Sequence, residues 1–185
     1  VLTVERRAKQ RSPDLISNRK ETTLLAIGAH PDDAELGCGG LLASLADKGH
    51  RVGIIDLTRG EMGSSGSPEI RAEEARRAGA ILGIDFRLNL DMGDGQIVDS
   101  QENRLKLAQA FREYKPTVVA TSHPIDRHPD HSAATALVKA AALAARLPKM
   151  PLNGSIHCVT RILLYCIHDV ATPSFIVDIS SHFEK

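Results

Sequence analysis

Two short segments of the sequence place histidines and carboxylates at a spacing that suits metal chemistry. His30-Pro31-Asp32-Asp33 directly follows an apolar run, and His128-Pro129-Asp130-His131 comes much later in the chain. Residues three positions apart at a turn or a helix start can lie on one face. A mixed set of imidazole and carboxylate ligands suits zinc, and it can also hold ferrous iron, manganese or nickel. We therefore predict that the two segments meet at one divalent metal ion.

The residues alone leave the division of roles between these side chains open. The candidate ligands are His30, Asp33, His128 and His131. If all four bound the metal, the site would be closed and structural, whereas a catalytic site keeps one position open for water. Asp32 is adjacent to Asp33 and must point elsewhere, so it is the candidate base that activates the attacking water. Asp130 is a candidate to orient a histidine by a hydrogen bond.

Each segment taken alone has a simpler interpretation, namely a solvated loop histidine followed by an aspartate that caps a helix. The metal-site hypothesis depends on both His-Pro-Asp tripeptides falling at predicted junctions between a strand and a helix. Such a coincidence is unexpected for two unrelated turns.

The elements that must position these segments alternate between strand and helix along the chain. We predict strands at 23–29, 52–57, 86–90, 117–121, 161–167 and 174–179, and helices at 39–48, 68–82, 99–114 and 131–146. A Gly-rich turn is expected at 37–40, and Asp99 is expected to cap the third helix. This alternation predicts an α/β, Rossmann-like fold with a largely parallel sheet and helices on both faces. Ligands bind beyond the carboxyl ends of such strands, where the charged segments fall.

The overall composition limits the classes of function. The 185 residues are 42% hydrophobic and 3% aromatic, with zero formal net charge, which gives no support for non-specific nucleic-acid binding. Three cysteines without a CxxC spacing indicate reduced thiols, and no long apolar run or signal sequence is visible. We therefore expect a cytoplasmic protein without membrane or nucleic-acid partners.

The domain organisation is expected to be simple. Residues 1–22 are polar and predict an N-terminal tail, and 23–185 predict a single domain. The chain begins at Val1 and ends soon after an apolar run. We expect that it lacks a C-terminal portion of this domain.

Together, the paired motifs resemble the LmbE/PIG-L-type zinc N-deacetylases over residues 23–179. The resemblance extends through Gly37-Cys38-Gly39-Gly40 and through residues 57–63, Leu-Thr-Arg-Gly-Glu-Met-Gly. The second of these segments, with the Arg71-x-x-Glu74 pair, is most similar to the bacillithiol-biosynthesis branch, which deacetylates N-acetyl-alpha-D-glucosaminyl L-malate. The resemblance implies that the ligands of Zn²⁺ are His30, Asp33 and His131, with Fe²⁺ or another divalent ion as alternatives.

The resemblance also implies roles for the remaining site residues. Asp32 would be the general base, and a protonated His128 would stay off the metal and stabilise the tetrahedral intermediate. Arg59 and Arg127 are candidates to bind hydroxyl or carboxylate groups of the substrate, and Asp94 is a candidate for sugar hydroxyls. The expected partner is a small N-acetylated sugar, and a homo-oligomer, a trimer or hexamer, is predicted. His123 is expected to lie near the site without a direct role, and His50, His157, His168 and His182 are expected to be structural or solvated.

Three alternatives remain at this point. The substrate would differ if the chain deacetylated another N-acetylated sugar, such as a chitooligosaccharide or an inositol conjugate. A Rossmann-type nucleotide-binding module is disfavoured, because G-x-G-x-x-G is absent and the adjacent carboxylates would repel a pyrophosphate. A metal-binding protein without turnover would need no base, and the presence of Asp32 and His128 argues against it.

Overall fold

The fold is a five-stranded parallel sheet with helices on both faces, as predicted. The structure is a computed structural model that describes residues 21–183, so the predicted tail lies, but for its last two residues, outside the described part. The strands are β1 Thr22–Gly28, β2 Val52–Asp56, β3 Phe86–Asn89, β4 Pro116–Ser122 and β5 Arg161–Tyr165, in the order β3-β2-β1-β4-β5. The helices are α1 Asp33–Asp47, α2 Pro68–Leu82, α3 Gln101–Tyr114 and α4 Pro129–Arg146, and a 3₁₀ turn spans Ser180–His182.

The central strand β1 is buried on both sides, which explains its continuous apolar sequence. Leu25 and Ile27 pack with α3 and α4 in one core cluster, whereas Leu24 and Ala26 pack with α1 in the other. The second helix, α2, packs against α1 and β3 on the same face as α1. The sheet is therefore the middle of three layers.

The order of the strands defines where a ligand can bind. The chain moves outward from β1 through β2 to β3, and then crosses back to β4 on the other side of β1. Where the order reverses in this way, a crevice opens beyond the carboxyl ends of the two central strands. The His30 and His128 segments follow β1 and β4, so both predicted junctions flank this crevice.

The prediction for α1 was wrong at its start. The helix begins at Asp33, six residues earlier than expected, and the glycines lie inside it instead of forming a turn. A Cβ atom at Gly37 would lie 2.0 Å from the Tyr165 ring, and one at Gly40 would lie 2.6 Å from Ile179. The glycines allow close packing of α1, and the backbone departs from helical geometry only at Cys38 within it.

Three further boundaries differ from the prediction. The hydroxyl of Ser100, not the carboxylate of Asp99, caps α3 by accepting a hydrogen bond from Asn103 N at 3.1 Å. The fourth helix begins at Pro129, because proline suits the first turn. The segment 174–179 is not a strand, since it pairs with no strand of the described sheet and most of its side chains are exposed. Among the described residues, no helix has both the length and the apolar character needed to cross a bilayer.

Candidate active site

The crevice brings the two histidine segments into direct contact. The ring centroids of His30 and His128 are 4.7 Å apart, and those of His128 and His131 are 4.9 Å apart. One nitrogen from each of the three rings lies within 4.8 Å of the other two. The predicted meeting of the two segments is therefore present.

Asp33 lies between two of the histidines. Its Oδ2 is 3.4 Å from Nδ1 of His30, and its Oδ1 is 3.2 Å from Nε2 of His131. The amide of His30 donates to Asp33 Oδ2 at 2.9 Å, which closes the turn between β1 and α1. Burial opposes ionisation of Asp33, but hydrogen bonds from His131 and His30 hold its pKa below the usual range.

The far nitrogen of His30 is held by two other carboxylates. Nε2 lies 3.0 Å from Asp94 Oδ1 and 3.3 Å from Asp130 Oδ2. Burial lowers the pKa of His30, but Asp33, Asp94 and Asp130 together raise it to about 9. Asp130 also accepts a hydrogen bond from Gly95 N at 2.8 Å, so its position is fixed from a second direction. The contact of Asp130 with His30 is of the kind that the predicted orienting role requires, and that role stays a prediction.

The far nitrogen of His131 faces a carboxylate that the sequence reasoning did not single out. Nδ1 of His131 lies 3.0 Å from Oδ1 of Asp126, and both side chains are 1% exposed. Asp126 lies in the loop between β4 and α4, two residues before His128. The sequence did contain a pattern that could have identified Asp126, since it is the first carboxylate of Asp-x-His-x-Asp-His.

The donor set fits a divalent metal. With Nε2 of His30 and Nδ1 of His131 directed at carboxylates, loss of the proton that faces Asp33 frees a lone pair on His30 Nδ1 and on His131 Nε2. Two imidazoles and one carboxylate match a catalytic zinc site, with the opposite nitrogens oriented by acidic groups. The same three residues were the predicted ligands, and their assignment remains a prediction.

His128 is held differently from the other two histidines. It is the N-cap of α4, and its Nδ1 accepts a hydrogen bond from Asp130 N at 3.3 Å. We infer from this contact that Nε2 carries the proton of the neutral ring. Burial, with repulsion from His30 and His131, lowers the pKa of His128. The expected protonated state is therefore disfavoured in the metal-free chain, and a neutral Nε2–H donor is favoured.

Asp32 occupies a strained position at the start of α1. Its φ angle is 145°, a region that residues other than glycine rarely adopt. Such strain clusters at functional sites. Burial and the neighbouring Asp33 raise the pKa of Asp32, while the guanidinium of Arg71 at 3.2 Å from Oδ2 opposes the rise. A carboxylate with a raised pKa is better suited to accept a proton near neutral pH.

An open cleft of about 600 Å³ is lined by His30, Asp32, Asp33, Asp94, His128 and His131. Its opposite wall is the loop after β2, which includes Gly60, Gly63 and Ser64. Arg71, on α2, reaches into this wall, and its Nη2 donates to Pro31 O at 3.0 Å. A Cβ atom at Gly60 would lie 2.6 Å from Arg71 Nε, so the loop can wrap the guanidinium because it has no side chain there.

Sequence comparison identifies the family. A family model described as "PIG-L: GlcNAc-PI de-N-acetylase" matches residues 25–142, which is more than half of the chain and includes both histidine segments. The chain belongs to the PIG-L family. The predicted LmbE/PIG-L relationship is thus confirmed, whereas the bacillithiol branch is a finer assignment that this match does not address.

Individual PIG-L relatives agree with this assignment. The chain is 39% identical over 126 residues to the "Uncharacterized deacetylase YaiS" of Escherichia coli, covering 64% of this chain and 67% of the relative. It is 32% identical over 176 residues to the diacetylchitobiose deacetylase of Thermococcus kodakarensis, covering 87% of this chain and 65% of the relative. The chain therefore spans about two thirds of the length of these curated relatives.

A solved structure shares the fold closely. The conserved protein TT1542 from Thermus thermophilus superimposes with a TM-score of 0.85 at 50% sequence identity. The match covers 88% of this chain and 74% of that chain. The Rossmann-like fold of this chain is therefore shared with a solved structure.

The structure separates the three predicted substrate-binding residues of this PIG-L family member. Asp94 lines the cleft and contacts His30. Arg59 pairs with Asp91 at 3.1 Å and lines a different, smaller cavity. Arg127 is exposed, and its amide donates to Asp169. The roles of Arg59 and Arg127 stay predictions that the geometry does not favour.

Two cleft residues were missed by the sequence reasoning. Arg71 was singled out only as part of a branch motif, yet its side chain is 18% exposed and contacts Asp32. His168 had been expected to be structural or solvated, yet it lines the cleft and stacks on His131 at 5.3 Å. Nothing in the local sequence identifies His168, because the fold alone brings the end of β5 to this rim.

Proposed function

We propose that this chain hydrolyses the N-acetyl group of an N-acetylated glucosaminide and releases acetate and the free amine. The observation that carries the proposal is the shared arrangement of His30 and His131. Each ring has one nitrogen held by a carboxylate and the other beside Asp33. This arrangement, next to an exposed carboxylate in an open cleft, suits metal-dependent amide hydrolysis.

His30, Asp33 and His131 would hold the metal, and zinc is our first candidate. When bound, such an ion polarises the amide carbonyl and lowers the pKa of a coordinated water. Asp130 and Asp94 keep the ring of His30 in place, since both contact its far nitrogen. The chain's own residues then perform the proton transfers.

Asp32 is proposed as the general base. Its carboxylate accepts the proton of the attacking water as the new bond between oxygen and the acyl carbon forms. The nearby guanidinium of Arg71 steadies the carboxylate, because its Nη2 lies 3.2 Å from Oδ2 of Asp32. As the bond between carbon and nitrogen breaks, Asp32 returns the proton to the leaving amine.

His128 is proposed as the donor that stabilises the oxyanion. With Nδ1 accepting from Asp130 N, the neutral ring presents Nε2–H as a donor in the cleft. A preorganised donor of this kind stabilises the negative charge that develops on the carbonyl oxygen. A nitrogen that carries a proton cannot also bind a metal, which supports the placement of His128 outside the ligand set.

The proposed substrate class follows from the cleft and from the relatives. The family description and the Thermococcus relative both name N-acetylglucosamine derivatives. Our leading candidate is N-acetyl-alpha-D-glucosaminyl L-malate, as the resemblance to the bacillithiol branch suggests, and Arg71 supplies a guanidinium in the cleft for an anionic group. Diacetylchitobiose and an N-acetylglucosaminyl-inositol are the alternatives.

The test is an amine-release assay on these three substrates and on free N-acetylglucosamine. Each reaction is run with the protein as purified, after chelation, and after zinc is restored. We expect chelator-sensitive release that zinc recovers, fastest on the malate conjugate. No chelator-sensitive release from any substrate would overturn the deacetylase proposal, whereas equal rates on the malate conjugate and free sugar would overturn the malate assignment alone.

A further inference from the structure

One buried carboxylate oxygen contacts three residues of the site at once. Oδ1 of Asp126 accepts a hydrogen bond from His128 N at 2.8 Å and lies 3.0 Å from His131 Nδ1. It also lies 3.1 Å from Nδ1 of His168. The Asp126 side chain is 1% exposed, although it belongs to a loop. A buried carboxylate of this kind requires hydrogen-bond donors, and the His128 amide and the His168 imidazole supply two of them.

The contact with His131 fixes the orientation of that ring. Its side chain is 1% exposed, and its Nδ1 lies toward Asp126 while its Nε2 lies toward Asp33. A proton on Nδ1 leaves the lone pair on Nε2, which is the nitrogen beside Asp33. Acidic partners on the opposite nitrogen of a metal-binding histidine set its tautomer and increase its basicity.

The contact with His128 acts on the backbone at the same point. His128 is the N-cap of α4, and its amide is not part of the hydrogen-bond pattern of the helix. Because Asp126 accepts from this amide, the start of α4 is tied to the carboxylate that faces His131. Asp126 Oδ1 therefore links the backbone of His128, the proposed oxyanion donor, to the ring of His131, a proposed metal ligand.

His168 joins the same oxygen from a separate part of the chain. It follows β5, and its ring lies almost parallel to that of His131, with an angle of 6° between the planes. Its Nδ1 forms a hydrogen bond with Asp126. The segment after β5 is thereby fixed to the wall of the cleft.

We propose that Asp126 is a positioning residue that sets the tautomer and orientation of His131 for metal binding. This inference rests on the proposed function of the site, but it concerns a residue outside the proposed ligand set and outside the lining of the cleft. The side chains of Asp126 and His131 are both 1% exposed, so water does not compete for the contact between Asp126 Oδ1 and His131 Nδ1.

The test compares three variants of the full chain. Asp126→Ala removes the carboxylate, and Asp126→Asn keeps its shape and one acceptor oxygen but removes the charge. Asp169→Asn is the matched control, because Asp169 Oδ2 accepts from Arg127 N at 2.8 Å in the same loop region and is exposed. Zinc affinity is measured by competition with a chromophoric chelator, and imidazole tautomers by ¹⁵N NMR of the metal-free protein.

We expect Asp126→Ala to lower zinc affinity about 10- to 100-fold, with a smaller loss in Asp126→Asn and a change of less than about 2-fold in Asp169→Asn. In the wild type, the spectra should show the proton of His131 on Nδ1, and Asp126→Ala should abolish that preference. Wild-type affinity together with an unchanged tautomer in Asp126→Ala would overturn the proposal. If Asp126→Ala does not fold, the same criteria apply to Asp126→Asn.

The readouts distinguish this inference from the proposed function. Zinc affinity and tautomer do not require turnover, so an inactive but zinc-binding protein still tests the role of Asp126. If the wild type binds no zinc, the tautomer decides: a neutral His131 ring in the wild type with its single proton on Nε2 would overturn the inference.

Discussion

Two buried clusters of opposite charges lie near the carboxyl ends of the strands, and their chemistry differs. The site cluster consists of histidines and aspartates around Asp33. The second, which we call the Arg87 cluster, consists of Arg87 with Asp56 and Glu35. Both place cations against carboxylates away from water. The difference is that the imidazoles of the site cluster can lose a proton, whereas the guanidinium of Arg87 cannot.

The Arg87 cluster has donors that are already used. Nε and Nη2 of Arg87 donate to Asp56 at 2.6 and 2.9 Å. Nη1 donates to Glu35 and to the carbonyl oxygen of Ala75. A guanidinium has no lone pair and keeps its proton, so this cluster cannot take up a metal. It ties α1 and α2 to the edges of β2 and β3.

The site cluster, by contrast, can exchange protons for a metal. An imidazole that loses a proton gains a lone pair, and the carboxylates that surround it remain as anchors. Burial of opposite charges therefore does not by itself indicate function. A lone pair that can be released next to an open cleft is the distinguishing property.

The largest expected effect is on turnover, from a change in the site that leaves the buried charges intact. Asp32→Asn should lower kcat about 10²- to 10⁴-fold, because the amide cannot accept the proton of water. Zinc content and the denaturation midpoint should remain at wild-type values, since Asp32 is 56% exposed at its side chain. Steady-state amine release, metal analysis and urea unfolding measure the three quantities. Loss of zinc in this variant would instead place Asp32 among the ligands.

The reverse pattern is expected for the Arg87 cluster. Arg87→Met should lower the free energy of unfolding by about 3–5 kcal/mol, because the buried Asp56 and the half-buried Glu35 would lose the guanidinium that compensates their charge. Zinc affinity of the folded fraction should be nearly unchanged. Equilibrium unfolding in urea checks the stability, and Arg76→Met, on the exposed face of α2, is the control that should leave it unchanged. Wild-type stability in Arg87→Met would show that this cluster is not a structural tie.

A pH series tests the exchange of protons for metal directly. In the metal-free fold, burial lowers the pKa of His30, but the surrounding aspartates raise it to about 9, so at neutral pH the ring is protonated. Metal must displace that proton, and apparent zinc affinity should therefore rise about tenfold per pH unit from pH 7 toward 9. The stabilisation from this protonated ring is full below about pH 6.5 and is lost as pH rises through 9. Affinity independent of pH over this range would contradict the assignment of His30 as a ligand.

The contrast also explains which parts of the molecule were predictable from the sequence. The apolar runs and the two His-Pro-Asp tripeptides are local patterns, and they predicted the fold class and the meeting of His30 with His131. The start of α1 was missed because glycines were interpreted as a turn, whereas Gly37 and Gly40 are required by contacts with Tyr165 and Ile179. Such contacts join distant segments, and one sequence does not show them.

The same limit applies to the site. Asp126 lies within the second motif, and the carboxylate pattern could have identified it. Arg71 and His168 lie on α2 and after β5, and each reaches the cleft through the tertiary fold. Arg59 was assigned to substrate because of its motif, although its side chain pairs with Asp91.

The smallest expected effect concerns the ion pair between Arg59 and Asp91, which is exposed where the Arg87 cluster is buried. Arg59 and Asp91 are 51% and 65% exposed at their side chains, so solvent screens their attraction. Arg59→Ala should therefore change the free energy of unfolding by less than about 1 kcal/mol, and, because Arg59 does not line the cleft, it should leave KM within about twofold. Urea unfolding and steady-state kinetics on the best substrate check both values. A large rise in KM would restore Arg59 as a substrate contact, and it would show that the loop after β2 rearranges when substrate binds.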